Sequence, residues 1–281
     1  MQDFLNLGES YPDLLNLKFN TWPYTLGMLI SIVPPMGIIL NEAALVKITV
    51  IFNNLAYNTH LRTSWGFSCL VETAGHTILF DAGGDGEVLL SNMRELAVDP
   101  TTIDMVVLSH IHADHTGGLE SFLQLNPKVT TYVPESFPAS FQQAIKSCGA
   151  DVKTVGAPMQ LSGQVFSSGE MADGIREQAL IVDTGKGLIV ITGCAHPGVA
   201  NVVRKAKQFL NRDVYLIMGG FHLKGMTGSQ IQGIINMLKE MGVRKVAPSH
   251  CTGELAMTIF REVWGDNFLQ GGVGAIIEVP P

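Results

Sequence analysis

The sequence predicts a layered α/β fold, and two observations carry that reading. Short apolar runs of strand length alternate along the chain with amphipathic stretches of helical length. One predicted strand after another ends in a glycine-bearing turn that carries a histidine or an aspartate. In layered α/β folds, ligands collect outside the carboxyl ends of strands. Composition agrees: 46% hydrophobic and 15% charged residues in 281 positions allow a large core, and 30 glycines supply tight turns.

Residues 1–44 stand apart from this pattern. No charged residue falls between Lys18 and Glu42, and residues 25–40 are almost wholly apolar. Asp3, Glu9 and Asp13 occupy the region where a secretory leader is positive. Pro34-Pro35 breaks the apolar run before it reaches the roughly 20 residues of a membrane span. The segment is expected to be an extension that packs on the body or on a partner subunit, a route to a homo-oligomer. One domain is expected over residues 45–281.

The regular pattern then runs in order. Residues 46–52 read as a strand, and 67–72 with 77–80 as a hairpin turning at Ala74-Gly75-His76, with His76 an exposed turn residue. Residues 87–96 read as a helix, 105–108 as a buried strand, 118–125 as a helix, 128–133 as a strand, 140–148 as a helix and 151–155 as a strand. The span 156–178 is turn-rich and yields no element. Strands follow at 179–183 and 188–192, then a helix at 199–210 with Pro197 near its first turn, where proline is tolerated. A strand at 214–218, a helix at 229–241, a short strand at 245–248, a helix at 255–263 and a strand at 275–279 close the series.

The densest chemistry follows the strand at 105–108, where His110, His112, Asp114 and His115 fall within six residues. Side chains alternate in extended chain, so His110 and His112 project the same way. Four such donors on one sheet edge are costly to bury unless a cation accepts their lone pairs. Imidazoles with one carboxylate suit zinc, iron or a similar transition metal. Asp81, His196, His222 and His250 sit at other strand ends, and a shared rim would gather them into one cleft.

The surroundings narrow the chemistry further. A net charge of −7 argues against nucleic acid as a partner. Cys69, Cys148, Cys194 and Cys251 form no CxxC pair and read as reduced thiols of a cytoplasmic protein, the last two beside site histidines. Helix starts after Gly117 and Pro197 would aim N–H groups at the rim, where they could hold a phosphate with Lys224 or Arg176. Phe221 and Trp65 could stack a flat heterocycle, and His60 reads as an ordinary exposed loop residue.

The His110-Ile-His112-Ala-Asp114-His115 signature, with Asp81 on the preceding strand, resembles the metallo-β-lactamase superfamily over residues 45–279. Gly193-Cys-Ala-His196-Pro-Gly, Gly219-Gly-Phe-His222-Leu and Pro248-Ser-His250-Cys-Thr-Gly are similar to its branch named after the dihydropterin–ribofuranosylaminobenzene phosphate synthase. The resemblance implies a four-layer αβ/βα sandwich with one or two metal ions on one edge: zinc, with manganese or iron(II) as alternatives. It implies that His110 and His112 hold the first metal, that Asp114 and His115 hold the second, and that His250 completes the second site. Asp81 matches the buried aspartate that orients this loop. Two departures stand out. No histidine precedes Leu188 where many relatives place the first site's third ligand, so His196 is the candidate. Cys194 stands where many relatives have a metal-bridging aspartate and is read first as a buried neighbour, with a bridging thiolate as the alternative.

The resemblance implies a metal-dependent hydrolase that uses a metal-bound hydroxide on a phosphorylated or ester-type small molecule. Asp114 and Asp81 are its catalytic carboxylates, and His222, Phe221 and Lys224 contact the substrate. The alternative is a pterin-transferring synthase condensing a dihydropterin diphosphate with ribofuranosyl aminobenzene phosphate. A di-iron redox protein and a non-catalytic sensor fit less well, because carboxylates are few and nearly every donor is present.

Overall fold

Strands that are apolar on both faces must be covered on both sides, and that requirement sets the layering here. The computed structural model describes residues 45–171 and 174–281; the extension expected at residues 1–44 lies outside the described residues. Strands β1 (Val46–Asn53), β2 (Phe67–Glu72), β3 (Thr77–Phe80), β4 (Met105–Val107), β5 (Thr130–Pro134) and β6 (Asp151–Val155) form the first sheet. Strands β7 (Met159–Ser162), β8 (Val165–Ser167), β9 (Leu180–Thr184), β10 (Gly187–Thr192), β11 (Val214–Gly220) and β12 (Lys245–Ser249) form the second. The last strand, β13 (Ile276–Val279), returns to the first sheet and pairs antiparallel with β1, Val46 opposite Val279.

Alternation along each strand feeds two cores. In β3, Ile78 and Phe80 enter the core between the sheets while Leu79 faces outward. In β10, Ile189 and Ile191 point inward while Leu188 and Val190 face outward. The outer face of the first sheet is covered by α1 (Gly86–Glu95), α3 (Leu119–Leu125) and α4 (Ala139–Ser147), through Leu89, Met93, Phe122 and Ile145. The outer face of the second is covered by α5 (Val199–Leu210), α6 (Gly228–Glu240) and α7 (Glu254–Trp264), through Val203, Ile231, Ile235 and Phe260. Helix, sheet, sheet, helix is the four-layer sandwich that the sequence predicts. Local chemistry sets the helix starts: Asp85 caps α1 by accepting from the Val88 N–H, and Thr227 with Gln230 forms a capping box on α6. No helix among the described residues is long and apolar enough to cross a membrane.

The topology also places the site. Strands β3 to β6 run parallel in the first sheet, and β10, β11 and β12 run parallel in the second. Their carboxyl ends deliver Asp81, Ser109, Gly193, Phe221 and His250, each immediately beyond a strand or one residue further on.

The structure differs from the sequence reading in three places. The span 156–178 holds β7 and β8, short strands on the edge of the second sheet, so little of β7 is buried and its apolar alternation is weak. A single helical turn, α2 (Ala113–Thr116), carries Asp114 and His115. His76 is no free turn residue: its Nδ1 lies 3.0 Å from Asp104 Oδ1 and its Nε2 2.6 Å from Ser162 Oγ, tying the first sheet to β7. His76→Ala removes two partly exposed hydrogen bonds, each worth roughly 0.5–1.5 kcal/mol net. It is expected to lower unfolding stability by about 1 kcal/mol in a denaturant titration while leaving metal binding unchanged.

Candidate metal centre

Asp81 follows β3 with its backbone in the left-handed region, φ 56°, which turns its carboxylate beneath the loop after β4. Both oxygens are fully engaged. Oδ1 accepts from the Ser109 N–H at 2.7 Å, and Oδ2 accepts from Ser109 Oγ at 2.7 Å and from His115 Nδ1 at 2.7 Å. Because the Ser109 hydroxyl proton goes to Asp81, its oxygen is left to accept from His110 Nδ1, 2.9 Å away. The network thus assigns the Nδ1–H tautomer to both His110 and His115, and turns both Nε2 lone pairs into the cleft. Across the cleft, His250 Nδ1 lies 2.8 Å from Asn54 Oδ1, while the Asn54 amide donates to the His250 carbonyl. His250 therefore also presents a bare Nε2.

These lone pairs converge. His110 Nε2 faces His112 Nδ1 at 3.1 Å; His250 Nε2 and His115 Nε2 face Asp114 Oδ2 at 3.2 and 3.6 Å. The rings of His110 and His112 lie 4.8 and 5.0 Å from that of His196. His196 Nε2 and His250 Nε2 are buried without a hydrogen-bond partner. Acceptor facing acceptor in a buried site needs a proton or a metal cation between the two. The donors fall into groups whose ligand atoms lie within 4.8 Å of one another: Asp114, His115, Cys194 and His250 in one, His110, Cys194 and His196 in another. Nitrogen, sulfur and one carboxylate form a set that suits zinc or iron(II), so the residues present fit a metal.

The electrostatics fit the same purpose. Burial, followed by the neighbouring His115, drives the His110 pKa far down and keeps that ring neutral. His196 is lowered to about 4, by burial first and then by His222. A neutral imidazole is the form that binds metal. Burial works against charge on Asp114, yet the facing rings of His250 and His115, 3.2 and 3.6 Å from its Oδ2, hold its carboxyl well below the usual range. The loop after β10 is organised by a second carboxylate. Glu177 Oε1 accepts from the N–H groups of Gly193, Cys194 and Ala195 at 3.1, 2.9 and 2.8 Å, and Oε2 from that of His196 at 2.8 Å. Burial raises the Glu177 pKa, and the amide donors oppose that rise. Gly193 has no room for a side chain, since a Cβ there would run into Ser109 Oγ and Asp81 Oδ2.

Each predicted residue now has a place. His110, His112, Asp114, His115, His196 and His250 are brought together. Lys224 lines a cavity of about 710 Å³ beside His250, together with Asn54, Trp65, Glu254 and Arg261. Its Nζ lies 5.4 Å from the centre of the Trp65 ring, and that ring stands 4.9 Å from His250. Two expectations are corrected. Phe221 is buried against Phe260 on the outer side of the second sheet and cannot stack a substrate. Asp81 is fully buried with both oxygens occupied, so it positions ligands and does not meet substrate. His222 stands exposed with Cys194 and Cys251, its ring 4.4 Å from His196, away from the cavity that Lys224 lines. The amides of residues 193–196, ahead of α5, hold the Glu177 carboxylate, and Arg176 pairs with Glu170 at 2.8 Å.

Comparison with known proteins agrees with this geometry. The chain is 30% identical over 272 residues to the "7,8-dihydropterin-6-methyl-4-(beta-D-ribofuranosyl)-aminobenzene-5'-phosphate synthase" of Methanocaldococcus jannaschii, covering 79% of this chain and 92% of that protein. The profile of the metallo-beta-lactamase superfamily matches residues 66–204. The chain belongs to the metallo-beta-lactamase superfamily. A crystal structure described as a metal-dependent hydrolase of that superfamily shares 26% identity and superposes with a TM-score of 0.71, covering 84% of this chain and all of the other. Human tRNase Z, short form, shares the fold at 14% identity and a TM-score of 0.58 over 84% of this chain and 100% of its own.

Within this superfamily fold, Glu177, Asn54 and Ser109 are the residues that the sequence reading missed. Glu177 had one signal, an acid three residues ahead of the largely buried strand β9; Asn54 had another, an amide immediately after β1. Asp81→Asn tests the tautomer network. Asparagine tolerates the left-handed backbone, but its amide cannot accept from both Ser109 and His115 on one oxygen and the backbone on the other. Metal affinity is expected to fall roughly 10–100-fold in a chelator-competition titration, with the far-ultraviolet circular dichroism retained.

Proposed function

We propose that this chain is a metal-dependent hydrolase acting on a phosphorylated or ester-type small molecule. The observation that carries the reading is the adjacency of the donor cluster to the cavity, with His250 belonging to both. His110, His112 and His196 would hold one ion, and Asp114, His115 and His250 a second, zinc suiting the set best. When bound there, the metal supplies Lewis acidity and a nucleophile at neutral pH.

The chain's own residues do the rest. Among the described residues Asp114 is the only carboxylate in the donor groups and is held ionised, so it can accept the proton that the attacking water loses and return it to the leaving group. Asp81 and Asn54 fix the rings, so no reorganisation is needed as charge develops. A volume of about 710 Å³ matches a small molecule. Lys224 and Arg261 on its wall supply cationic contacts for phosphate, and Trp65 offers a flat face. The four free thiols, two of them beside the donors, suit a reducing compartment such as the cytoplasm.

A second reading is favoured by the relative from Methanocaldococcus jannaschii, whose name states a synthase and 92% of whose length is matched. In that reaction Trp65 would stack the pterin, while Lys224 and Arg261 hold the diphosphate. The carbon–oxygen bond to the diphosphate breaks as a carbon–nitrogen bond to the arylamine forms, and the amine proton leaves to base.

The deciding assay loads the protein with zinc and offers phosphodiester, lactone and thioester substrates, and separately the dihydropterin diphosphate with ribofuranosyl aminobenzene phosphate. Hydrolysis of the first group without condensation of the second supports the hydrolase; condensation alone supports the synthase; neither overturns both. Chelation is expected to abolish turnover and zinc to restore it, and His112→Ala to lower kcat by more than about 100-fold. Lys224→Ala is expected to raise KM about tenfold for a phosphorylated substrate, equivalent to about 1.4 kcal/mol, with little change in kcat.

A further inference from the structure

We propose that Cys194 is itself a metal ligand, shared between the two histidine groups, and that Cys251 and His222 extend it into a thiolate-rich donor set. This rests on the metal reading above. It takes the alternative reading of Cys194 over that of a buried neighbour.

Three observations carry it. Cys194 Sγ is the one atom common to every donor group among the described residues: with Asp114, His115 and His250, with His110 and His196, and with His222 and Cys251. It therefore lies where a single atom can reach both ions. Second, the hydrogen-bonding around it is incomplete. Sγ lies 3.3 Å from His115 Nε2, which is bare in the tautomer that Asp81 imposes. A thiol has one proton and can satisfy that nitrogen alone, leaving the buried Nε2 atoms of His196 and His250 unpartnered. A cation satisfies all of them together, and the thiol proton passes to solvent as the sulfur–metal bond forms.

The third observation is the shape of the backbone around the sulfurs. Gly220 sits at the end of β11, where a Cβ would collide with the Gly193 carbonyl and lie 2.7 Å from Cys251 Sγ. Glycine at this position lets Cys251 approach the loop that carries Cys194; its Sγ lies 3.7 Å from the Cys194 carbonyl. His222 and His250 both adopt φ 52°, and Ala195 φ 58°, left-handed conformations that non-glycine residues hold at a cost. Those three strained residues lie beside the two cysteines, and they aim His222 at the thiols. Phe221, one residue earlier, points the opposite way into the core. The His222 side chain is solvent-exposed, which leaves this flank open for an ion to enter.

A sulfur-bearing set also selects its ion. Thiolate favours zinc, cobalt(II) or iron(II) over magnesium and manganese, which prefer oxygen donors.

Cobalt(II) added to the metal-free full chain tests the assignment without recourse to activity. Histidine and carboxylate ligation give visible ligand-field bands, and thiolate ligation adds a near-ultraviolet sulfur-to-metal charge-transfer band. The wild type is expected to show both. Cys194→Ser is expected to lose at least half of the charge-transfer intensity, and Cys194→Ser with Cys251→Ser all of it, while Cys148→Ser is unchanged. If Cys194→Ser fails to fold by circular dichroism, Cys194→Asp supplies a carboxylate in its place and is expected to bind the same equivalents of cobalt with the band reduced. Ligand-field bands without a charge-transfer band in the wild type overturn the thiolate assignment and leave the histidine centre standing, as does an undiminished band in the folded Cys194 variant. An undiminished band in Cys251→Ser removes Cys251 from the set. No cobalt uptake at all overturns the metal reading and the thiolate assignment together.

Discussion

A single buried carboxylate decides how the site is built. Asp81 has no cationic side chain beside it that is permanently charged; its charge is met by the Ser109 amide, the Ser109 hydroxyl and the His115 ring. Those bonds are directional, so they do more than neutralise. Through Ser109 the carboxylate fixes the tautomer of His110, and directly it fixes that of His115, so one group orients two potential ligands. Burial holds the arrangement together: water is excluded and cannot offer the rings another partner. The raised His115 pKa has the same origin, since burial alone would lower it and Asp81 reverses the sign.

A second carboxylate does comparable work on the other sheet. Glu177 gathers four consecutive amides and so shapes the loop that presents Cys194 and His196. The two anions divide the task. Asp81 sets ring orientation after β4, and Glu177 sets backbone path after β10. The strain that results is concentrated at the rim. Asp81, Ala195, His222 and His250 are four of the six non-glycine residues at positive φ among those described. A functional edge that bends the backbone after β3, β10, β11 and β12 depends on rigid layers beneath it, and the three apolar cores supply that rigidity.

How much of this was legible in the sequence follows from the range of each interaction. The strands of both sheet centres were readable because burial on both faces writes an unbroken apolar run. The edge strand β7 was not, since a strand open to water writes only a weak pattern, and its neighbour β8 is only three residues long. The cluster from His110 to His115 was plain because its donors are neighbours in the chain. Asn54 was not, because its partner His250 lies 196 residues away. Phe221 and His222 hold a lesson of their own. Adjacent residues at the end of a strand face opposite sides, so one of the pair was bound to enter the core, and burial favours the phenylalanine. Cys194 was underread for a different reason: a lone cysteine is ambiguous in sequence, and its meaning came only from the donor groups around it.

The long reach between Asn54 and His250 also bears on how the protein is made. Asn54 closes β1, a strand paired on one side with β2 and on the other with β13. During synthesis the His110–His115 cluster leaves the ribosome well before His250, and before the strand that seals the β1 edge. The early histidines are therefore made before the residues that complete the cleft. The site takes its full form only at the end of folding, when the most distant contacts close.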